Sequence, residues 1–134
     1  MLHADNISIA GHNPATLTIT PSGTGSIFAL ASAYSGLISS SFDKSNSANS
    51  SSNLPDSGSS GSLSQANELV FGCMANAARP GVTISAGSGF TLRNTAGRQR
   101  IANEDQVVNS KAGIDATFSQ VVSREWAAIV TTYK

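Results

Sequence analysis

The stretch Ala15-Thr16-Leu17-Thr18-Ile19-Thr20 alternates apolar and polar side chains with a period of two. Leu17 and Ile19 would share one face of an extended chain, and the threonines would occupy the other. This is the pattern of a half-buried β-strand with one face in water. The same period, rather than the 3.6-residue period of a helix, recurs along the chain.

Further short runs with this character follow at intervals of about 8–12 residues, separated by turn residues, which is typical of a sandwich or barrel. The segment Ser26–Tyr34 follows a Pro/Gly-rich turn and is predicted to be a central strand packed on both sides, with a helix as the rival interpretation of its alanines. The later predicted strands are Glu68–Ala75, Val82–Ser85, Phe90–Arg93, Arg100–Val108, Asp115–Phe118 and Glu125–Tyr133. The prediction is an all-β, antiparallel two-sheet sandwich, jelly-roll-like, with about eight short strands.

A length of 134 residues fits one domain spanning 1–134. Within it, Ser39–Ser64 is rich in Ser, Asn and Gly, and its stretch Ser45–Asn53 is nearly free of apolar side chains. This segment is interpreted as a long loop around 45–64, or as a polar edge strand followed by a loop. Because it lacks apolar groups that offset the entropy of ordering, the stretch 46–61 is expected to be the most mobile internal segment.

Charge is sparse, with eight basic and eight acidic side chains and a net charge of zero. This balance predicts neither nucleic-acid binding nor attraction to an anionic membrane. No run reaches the 18 or so apolar residues of a membrane span. The single cysteine, Cys73, lies in an apolar run, so a buried, inert thiol is the favoured interpretation.

Five short blocks occur in an order that resembles a known type of module. They are Ala33–Leu37, Gln65–Gly72, Ala86–Leu92, Glu104–Val108 and Trp126–Lys134. The chain resembles an uncharacterised jelly-roll-like β-sandwich module of large secreted bacterial proteins. The resemblance implies export and a sandwich fold but no settled activity.

The start of the chain departs from that module. The segment Leu2–Ile7 resembles a strand that lies partway into it, so the chain is interpreted as N-terminally truncated. Met1–Asp5 has no basic region and no apolar run, so no signal peptide is visible and a cytoplasmic location stays open beside the extracellular one.

The candidate chemistry consists of carboxylates. Glu104, Asp105 and, more distant in sequence, Asp43 are the candidate ligands of a Ca²⁺ ion, which prefers several oxygen donors. Neighbours on a strand point to opposite faces, so Glu104 and Asp105 can share a site only if a bulge intervenes; a solvated strand edge is the alternative. His3, Asp5 and His12 are candidates for a transition metal, with solvated side chains at a terminus as the alternative.

No catalytic residue is identified. The chain has no Gly-x-Ser-x-Gly, and Ser41-Phe42-Asp43-Lys44 matches Ser-x-x-Lys only by chance, since no helix is predicted there. Arg93, which lies near the acidic pair in sequence, is expected to form cross-strand ion pairs, as are Arg98 and Arg100. Trp126 is expected in the core.

These features favour a non-catalytic binding or adhesion module of a secreted bacterial protein, with a glycan or a cell surface as its ligand. The alternative is a small Ca²⁺-dependent hydrolase acting on an ester or lactone, and a purely structural spacer is the third interpretation. A homodimer formed by edge-strand pairing is also expected, through Asp5–Ile9 or the strand around Leu17 and Ile19.

Overall fold

The computed structural model describes residues 18–20, 22–24, 27–77 and 82–134, and within these ranges the chain is all-β and contains no helix. Two antiparallel sheets are present, which confirms the predicted two-sheet architecture. The seven strands are β1 (Phe42–Ser52), β2 (Glu68–Asn76), β3 (Ile84–Ala86), β4 (Thr91–Ala96), β5 (Ile101–Val108), β6 (Phe118–Gln120) and β7 (Arg124–Tyr133). The described ranges include no helix that is long and apolar enough to cross a bilayer.

The larger sheet has five strands in the order β1-β7-β2-β5-β4. Every neighbouring pair is antiparallel, and β2 is paired with β5 on one side and β7 on the other. Side chains alternate between the two faces of a strand. Even-numbered residues of β2, β5 and β7, such as Val70, Ala102 and Val130, therefore point into the core, while odd-numbered residues occupy the outer face.

The smaller layer pairs β3 with β6 and is extended by the polar segment 53–63. Ser57 N donates to Ala116 O and Ser60 N donates to Ile114 O, each at 3.0 Å. The two hydroxyls continue the pairing, since Ser57 Oγ accepts from Ala116 N and Ser60 Oγ accepts from Ile114 N. Serines thus supply the hydrogen bonds of a sheet edge that has little regular ladder.

These contacts revise the predicted loop around 45–64. Its first part belongs to strand β1, so the polar edge strand is the alternative that the structure adopts. The remainder is held by hydrogen bonds along 111–120. The mobility expected for 46–61 stays a prediction, while backbone and hydroxyl hydrogen bonds tie part of this polar segment to residues 114–116.

The core lies between the layers and is formed by alanine, valine and isoleucine side chains together with Met74, Phe118 and the indole of Trp126. Trp126 is buried, as predicted, and its Nε1–H donates to Ser52 Oγ at 2.9 Å. The buried cluster comprises Val70, Met74, Val82, Ile84, Ala102, Ala116, Phe118, Trp126, Ala128 and Val130. The phenyl ring of Phe90 and the aliphatic side chains of Leu92, Val108 and Ile114 pack against it.

The prediction of a central strand over Ser26–Tyr34 is wrong. Residues 27–38, here called the strap, form no regular strand and cross the outer face of the larger sheet. The side chains of Ile27, Phe28 and Tyr34 are about half exposed. The alternating apolar side chains of this segment therefore belong to a chain that packs against a sheet and is not one of its strands. Of the opening alternating stretch, Thr18–Thr20 is likewise exposed and not a strand, and Leu17 lies outside the described residues, as does Asp5–Ile9.

Candidate functional site

Glu104 and Asp105 lie side by side on β5 and point to opposite faces of the larger sheet. Glu104 faces Gly72 across the ladder and the core beyond it, whereas Asp105 lies on the outer face opposite Phe71. The ladder between β2 and β5 runs without a register shift, so no bulge brings the two carboxylates together. The alternation that separates strand neighbours therefore keeps these two groups in different sites.

Glu104 is a fully buried carboxyl group in an apolar setting. Its Oε2 accepts a hydrogen bond from Gly87 N at 2.9 Å, while Oε1 has no partner among the described residues. Gly72 and Ala116 lie beside it, because a Cβ at Gly72 would lie 2.7 Å from Ala116 Cβ and 3.1 Å from Glu104 Oε1. Burial raises the pKa of Glu104 to about 7, and the Gly87 hydrogen bond only partly opposes this rise.

Asp105 holds the strap to the sheet. Arg93 Nε and Nη2 donate to its two oxygens at 2.7–2.9 Å, and the Tyr34 hydroxyl of the strap donates to Oδ2 at 2.5 Å. Burial by itself would raise the pKa of Asp105, but the hydrogen bonds from Arg93 and Tyr34 outweigh burial, and the net pKa is lowered. The predicted cross-strand ion pair is thus confirmed for Arg93. The Asp105 carboxylate also anchors the strap through Tyr34.

Three further contacts secure the strap along its length. Asn103 Nδ2 donates to Ser32 Oγ at 3.0 Å, and the Arg100 guanidinium lies 5.7 Å from the centre of the Phe28 ring. The Tyr34 ring meets Phe71 edge-on at 6.2 Å between centroids. The strap therefore covers the outer face of the sheet around Phe71, Asn103 and Asp105.

The Asp105 anchor predicts a titration that can be observed. Burial and then the hydrogen bond and charge of Asp105 raise the pKa of Tyr34 well above its ordinary value of 10. Replacing Asp105 by Asn removes that charge, so the Tyr34 pKa should fall back toward 10. An ultraviolet titration of tyrosinate detects the change, with Tyr34→Phe assigning the signal. A Tyr34 pKa that is unchanged in Asp105→Asn would contradict this assignment.

Asp43 belongs to a third cluster, at the start of β1. Ser64 donates to it twice, from its backbone N at 2.9 Å and from its hydroxyl at 2.5 Å, and Lys44 Nζ and Lys134 Nζ lie 3.7 and 3.8 Å away. Burial would raise the pKa of Asp43, yet the Ser64 hydrogen bonds, the Lys44 charge and a hydrogen bond with Glu68 lower it overall. The Asp43 carboxylate is therefore kept ionised, and the two lysine ammonium groups balance its charge.

The three candidate Ca²⁺ ligands therefore do not form one site. Two strands, β7 and β2, separate β1 from β5 in the sheet, and Glu104 and Asp105 face opposite ways. Within the described residues, no three His, Cys, Asp or Glu side chains are grouped so that they could hold a metal ion. His3, Asp5 and His12 lie outside those residues.

The other candidate groups have structural settings. Cys73 is partly buried on the outer face of β2, and burial raises the pKa of its thiol, which keeps it in the poorly nucleophilic protonated form. Ser41 is buried directly before β1, and Lys44 lies within that strand, so Ser41–Lys44 is not at a helix N-terminus.

The outer face of β1 is a surface that the sequence analysis did not single out. The register pairs Phe42 with Tyr133 and Ser45 with Thr131, both on the outer face of β7. Alternation then places the exposed Phe42, Ser45, Ser47, Asn49 and Ser51 in one line, here called the outer row. The signal was present in the sequence, since the serines and asparagines of 45–52 recur without any charge, but their polarity favoured a loop.

The outer row forms an extended strip along β1, with a register shift between Phe42 and Ser45. Successive side chains are separated by roughly 7 Å, so Ser45 to Ser51 spans about 20 Å. Phe42 stands at one end, 39% exposed, and meets Tyr133 edge-on at 6.1 Å between centroids. The row thus combines one ring with a series of hydroxyl and amide groups that are exposed to solvent.

Comparisons with protein-family models, with curated proteins and with solved structures found no match for this chain.

Proposed function

We propose that the chain is a non-catalytic binding module of a secreted bacterial protein, and that it binds a neutral glycan along the outer row of β1. The observation that carries the proposal is the outer row itself, in which an exposed ring is followed by Ser45, Ser47, Asn49 and Ser51 along one straight edge strand. Export is taken from the resemblance of the five sequence blocks to a secreted module.

The chemistry of the row suits a polysaccharide. Serine hydroxyls and an asparagine amide both donate and accept hydrogen bonds, which matches the hydroxyl groups of a sugar. The ring of Phe42 offers an apolar face on which a pyranose can lie. No charged side chain interrupts 45–52, so a neutral chain is favoured over an acidic one.

The hydrolase alternative placed a Ca²⁺ ligand or a general base at Glu104 or Asp105, with Asp43 as a further ligand, for the hydrolysis of an ester or lactone. Each of these carboxyl groups instead has a separate structural role, because Glu104 is enclosed in the core, Asp105 anchors the strap, and Asp43 pairs with Ser64 and two lysines. No arrangement among the described residues favours a Ca²⁺-dependent reaction, so a single function is proposed.

The proposal predicts that the protein is retained on a neutral polysaccharide and that Ser47→Glu with Asn49→Glu weakens retention. The two changes replace adjacent members of the row with bulkier, charged groups. Because each lost hydrogen bond is worth about 1 kcal/mol, affinity should fall roughly tenfold or more. Affinity electrophoresis in gels that contain single polysaccharides, after a glycan-array screen, measures this change.

The matched control is Ser50→Glu, which places the same charge on the same strand but on the opposite face, because Ser50 pairs with the inward-facing Trp126. It should retain binding, and all variants should keep the far-ultraviolet circular dichroism of the parent. Absence of binding to every neutral polysaccharide, or equal loss in Ser50→Glu, would overturn the proposal.

A further inference from the structure

A lysine and two carboxyl groups meet at one end of the larger sheet, on three adjacent strands. Asp43 lies near the start of β1, Glu68 begins β2, and Lys134 directly follows β7, the strand between them. The ladder between β2 and β7 pairs Leu69 with Tyr133. Continuing that register by one residue places Glu68 opposite Lys134. The sheet therefore brings together one amine and two acids that are distant from one another in sequence.

The Lys134 ammonium and the Asp43 carboxylate form an ion pair that is largely shielded from water. Nζ lies 3.8 Å from Oδ1, and the exposed fractions of the two side chains are 26% and 4%. Groups held together in this way react as if at an effective concentration of roughly 10⁵ M or more when they are well oriented. Because enclosed charges are poorly hydrated, conversion of the pair into a neutral amide would also remove an unfavourable burial of charge.

Glu68 supplies a third group that can carry a proton. Its side chain is fully buried, its Oε1 accepts from Gln65 N at 3.2 Å, and its Oε2 has no hydrogen-bond donor among the described residues. The Glu68 carboxyl also hydrogen-bonds with that of Asp43. Since ionised carboxylates only accept hydrogen bonds, two carboxyl groups bond to each other only through a proton that they share. Glu68 is thus positioned to pass a proton to Asp43.

We propose that Lys134 and Asp43 condense into an intramolecular amide, with Glu68 as the proton carrier, and that one water molecule is released. Glu68 passes its proton to an oxygen of the Asp43 carboxyl and takes one from the Lys134 ammonium, which frees the nitrogen lone pair to attack Cγ. Glu68 then protonates the hydroxyl, which leaves as water while the carbonyl re-forms, and recovers a proton from the nitrogen. Of the three ammonium protons, one stays on the amide and two leave with the water. The step is balanced without an oxidant, a reductant or a co-reactant.

The amide would join the edge strand β1 covalently to the end of β7. Strands β2 to β6 lie between these two points in sequence, so the covalent loop encloses every other strand of both sheets. The ion pair in the structure is the state before condensation, and neither Asp43 nor Lys134 titrates once the amide has formed. The link forms whether or not a glycan binds, and it would suit a module that is pulled on while attached to a surface.

Intact-mass spectrometry of the purified protein tests the condensation directly. We expect the parent chain to be lighter than its sequence mass by one water molecule, and peptide mapping should find a branched peptide that joins Asp43 to Lys134. Lys134→Arg keeps the positive charge but not the primary amine, so it should show the full mass. Glu68→Gln keeps the size of the side chain but cannot exchange a proton in this way, so it should also show the full mass.

Lys44→Arg is the matched control, because Lys44 Nζ lies 3.7 Å from the same Asp43 oxygen but belongs to the next residue of the same strand. This variant should still lose one water molecule. A parent chain at its full mass, a loss of water without the branched peptide, or a branched peptide that contains Lys44 would each overturn the proposal. Complete cross-linking in Glu68→Gln would overturn the role of Glu68. Circular dichroism checks the folding of each variant, and the peptide map of the parent decides the matter if a variant does not fold.

Discussion

Replacing Glu104 by Gln should make the protein more stable at pH 8, by about 3 kcal/mol, while changing its stability little near pH 4.5. The carboxyl is fully buried beside Gly72 and Ala116, and its pKa rises from the ordinary 4.5 to about 7. Each pH unit between those two values corresponds to about 1.4 kcal/mol. Glutamine keeps the size and a hydrogen-bond acceptor for Gly87 N but carries no charge to desolvate.

The sign of this pH dependence of stability follows from proton binding to Glu104 in the folded and unfolded states. Between pH 4.5 and 7 the folded protein holds a proton on Glu104 that the unfolded chain has released, so stability falls as pH rises through this range. Asp105 and Asp43 act oppositely, since their lowered pKa values contribute stability above the unfolded value that is lost as pH falls. The parent should therefore be most stable near pH 5, roughly, and Glu104→Gln should shift its stability maximum to higher pH.

Urea unfolding at a series of pH values between about 4 and 8 measures the effect. Glu125→Gln is the matched control, because it removes a glutamate from an exposed position on β7 and should preserve the decline. A decline toward high pH that is as steep in Glu104→Gln as in the parent would show that another group causes it.

Replacing Gly87 by Ala should destabilise the fold by about 3 kcal/mol or more. A Cβ at this position would overlap both the backbone oxygen and the hydroxyl of Thr117, which belongs to the strand segment that faces β3. Overpacking against backbone cannot be relieved by a rotamer change and typically costs roughly 1–3 kcal/mol. Gly87 also donates the one hydrogen bond of Glu104, so a shift of its backbone leaves that carboxyl without any partner among the described residues.

Gly23→Ala is the control for this change, since a Cβ there would meet no described residue within 4 Å. Its unfolding free energy should match that of the parent to within about 0.5 kcal/mol, as for ordinary surface changes. Thermal and urea unfolding of both variants decide the matter. A Gly87→Ala protein as stable as Gly23→Ala would mean that β3 and Thr117 are not packed as described.

The strands that alternate and are rich in branched or aromatic residues were predictable from sequence. Glu68–Asn76, Ile101–Val108 and Arg124–Tyr133 appear nearly where their patterns indicate. They pair with each other at the centre of the sheet, where the apolar face decides the register. Strand β1 could not be assigned with the same rule, because an edge strand exposed on both faces needs no apolar side chains.

In the strap, the sequence pattern predicted a strand where the structure has none. Its apolar side chains alternate as in a central strand, yet they lie on the outer face of the sheet, anchored by Asp105 through Tyr34. That anchor depends on a tyrosine and a carboxylate 71 residues apart, which a local pattern cannot reveal. Strand alternation predicts from the sequence that Glu104 and Asp105 point to opposite faces, as they do. A local pattern does not show that the Glu104 side chain is enclosed in the core, because the residues that enclose it are distant in sequence.

Chemical-shift mapping with a neutral polysaccharide that the protein retains would locate the binding surface residue by residue. Backbone amide signals are assigned and followed as the polysaccharide is added to the parent protein. We expect perturbations along β1, at the backbone amides of Phe42, Ser45, Ser47, Asn49 and Ser51, with those of Gly87 and Glu104 unaffected. Perturbations centred on Gly87 or the strap, with β1 unchanged, would contradict the proposed glycan site.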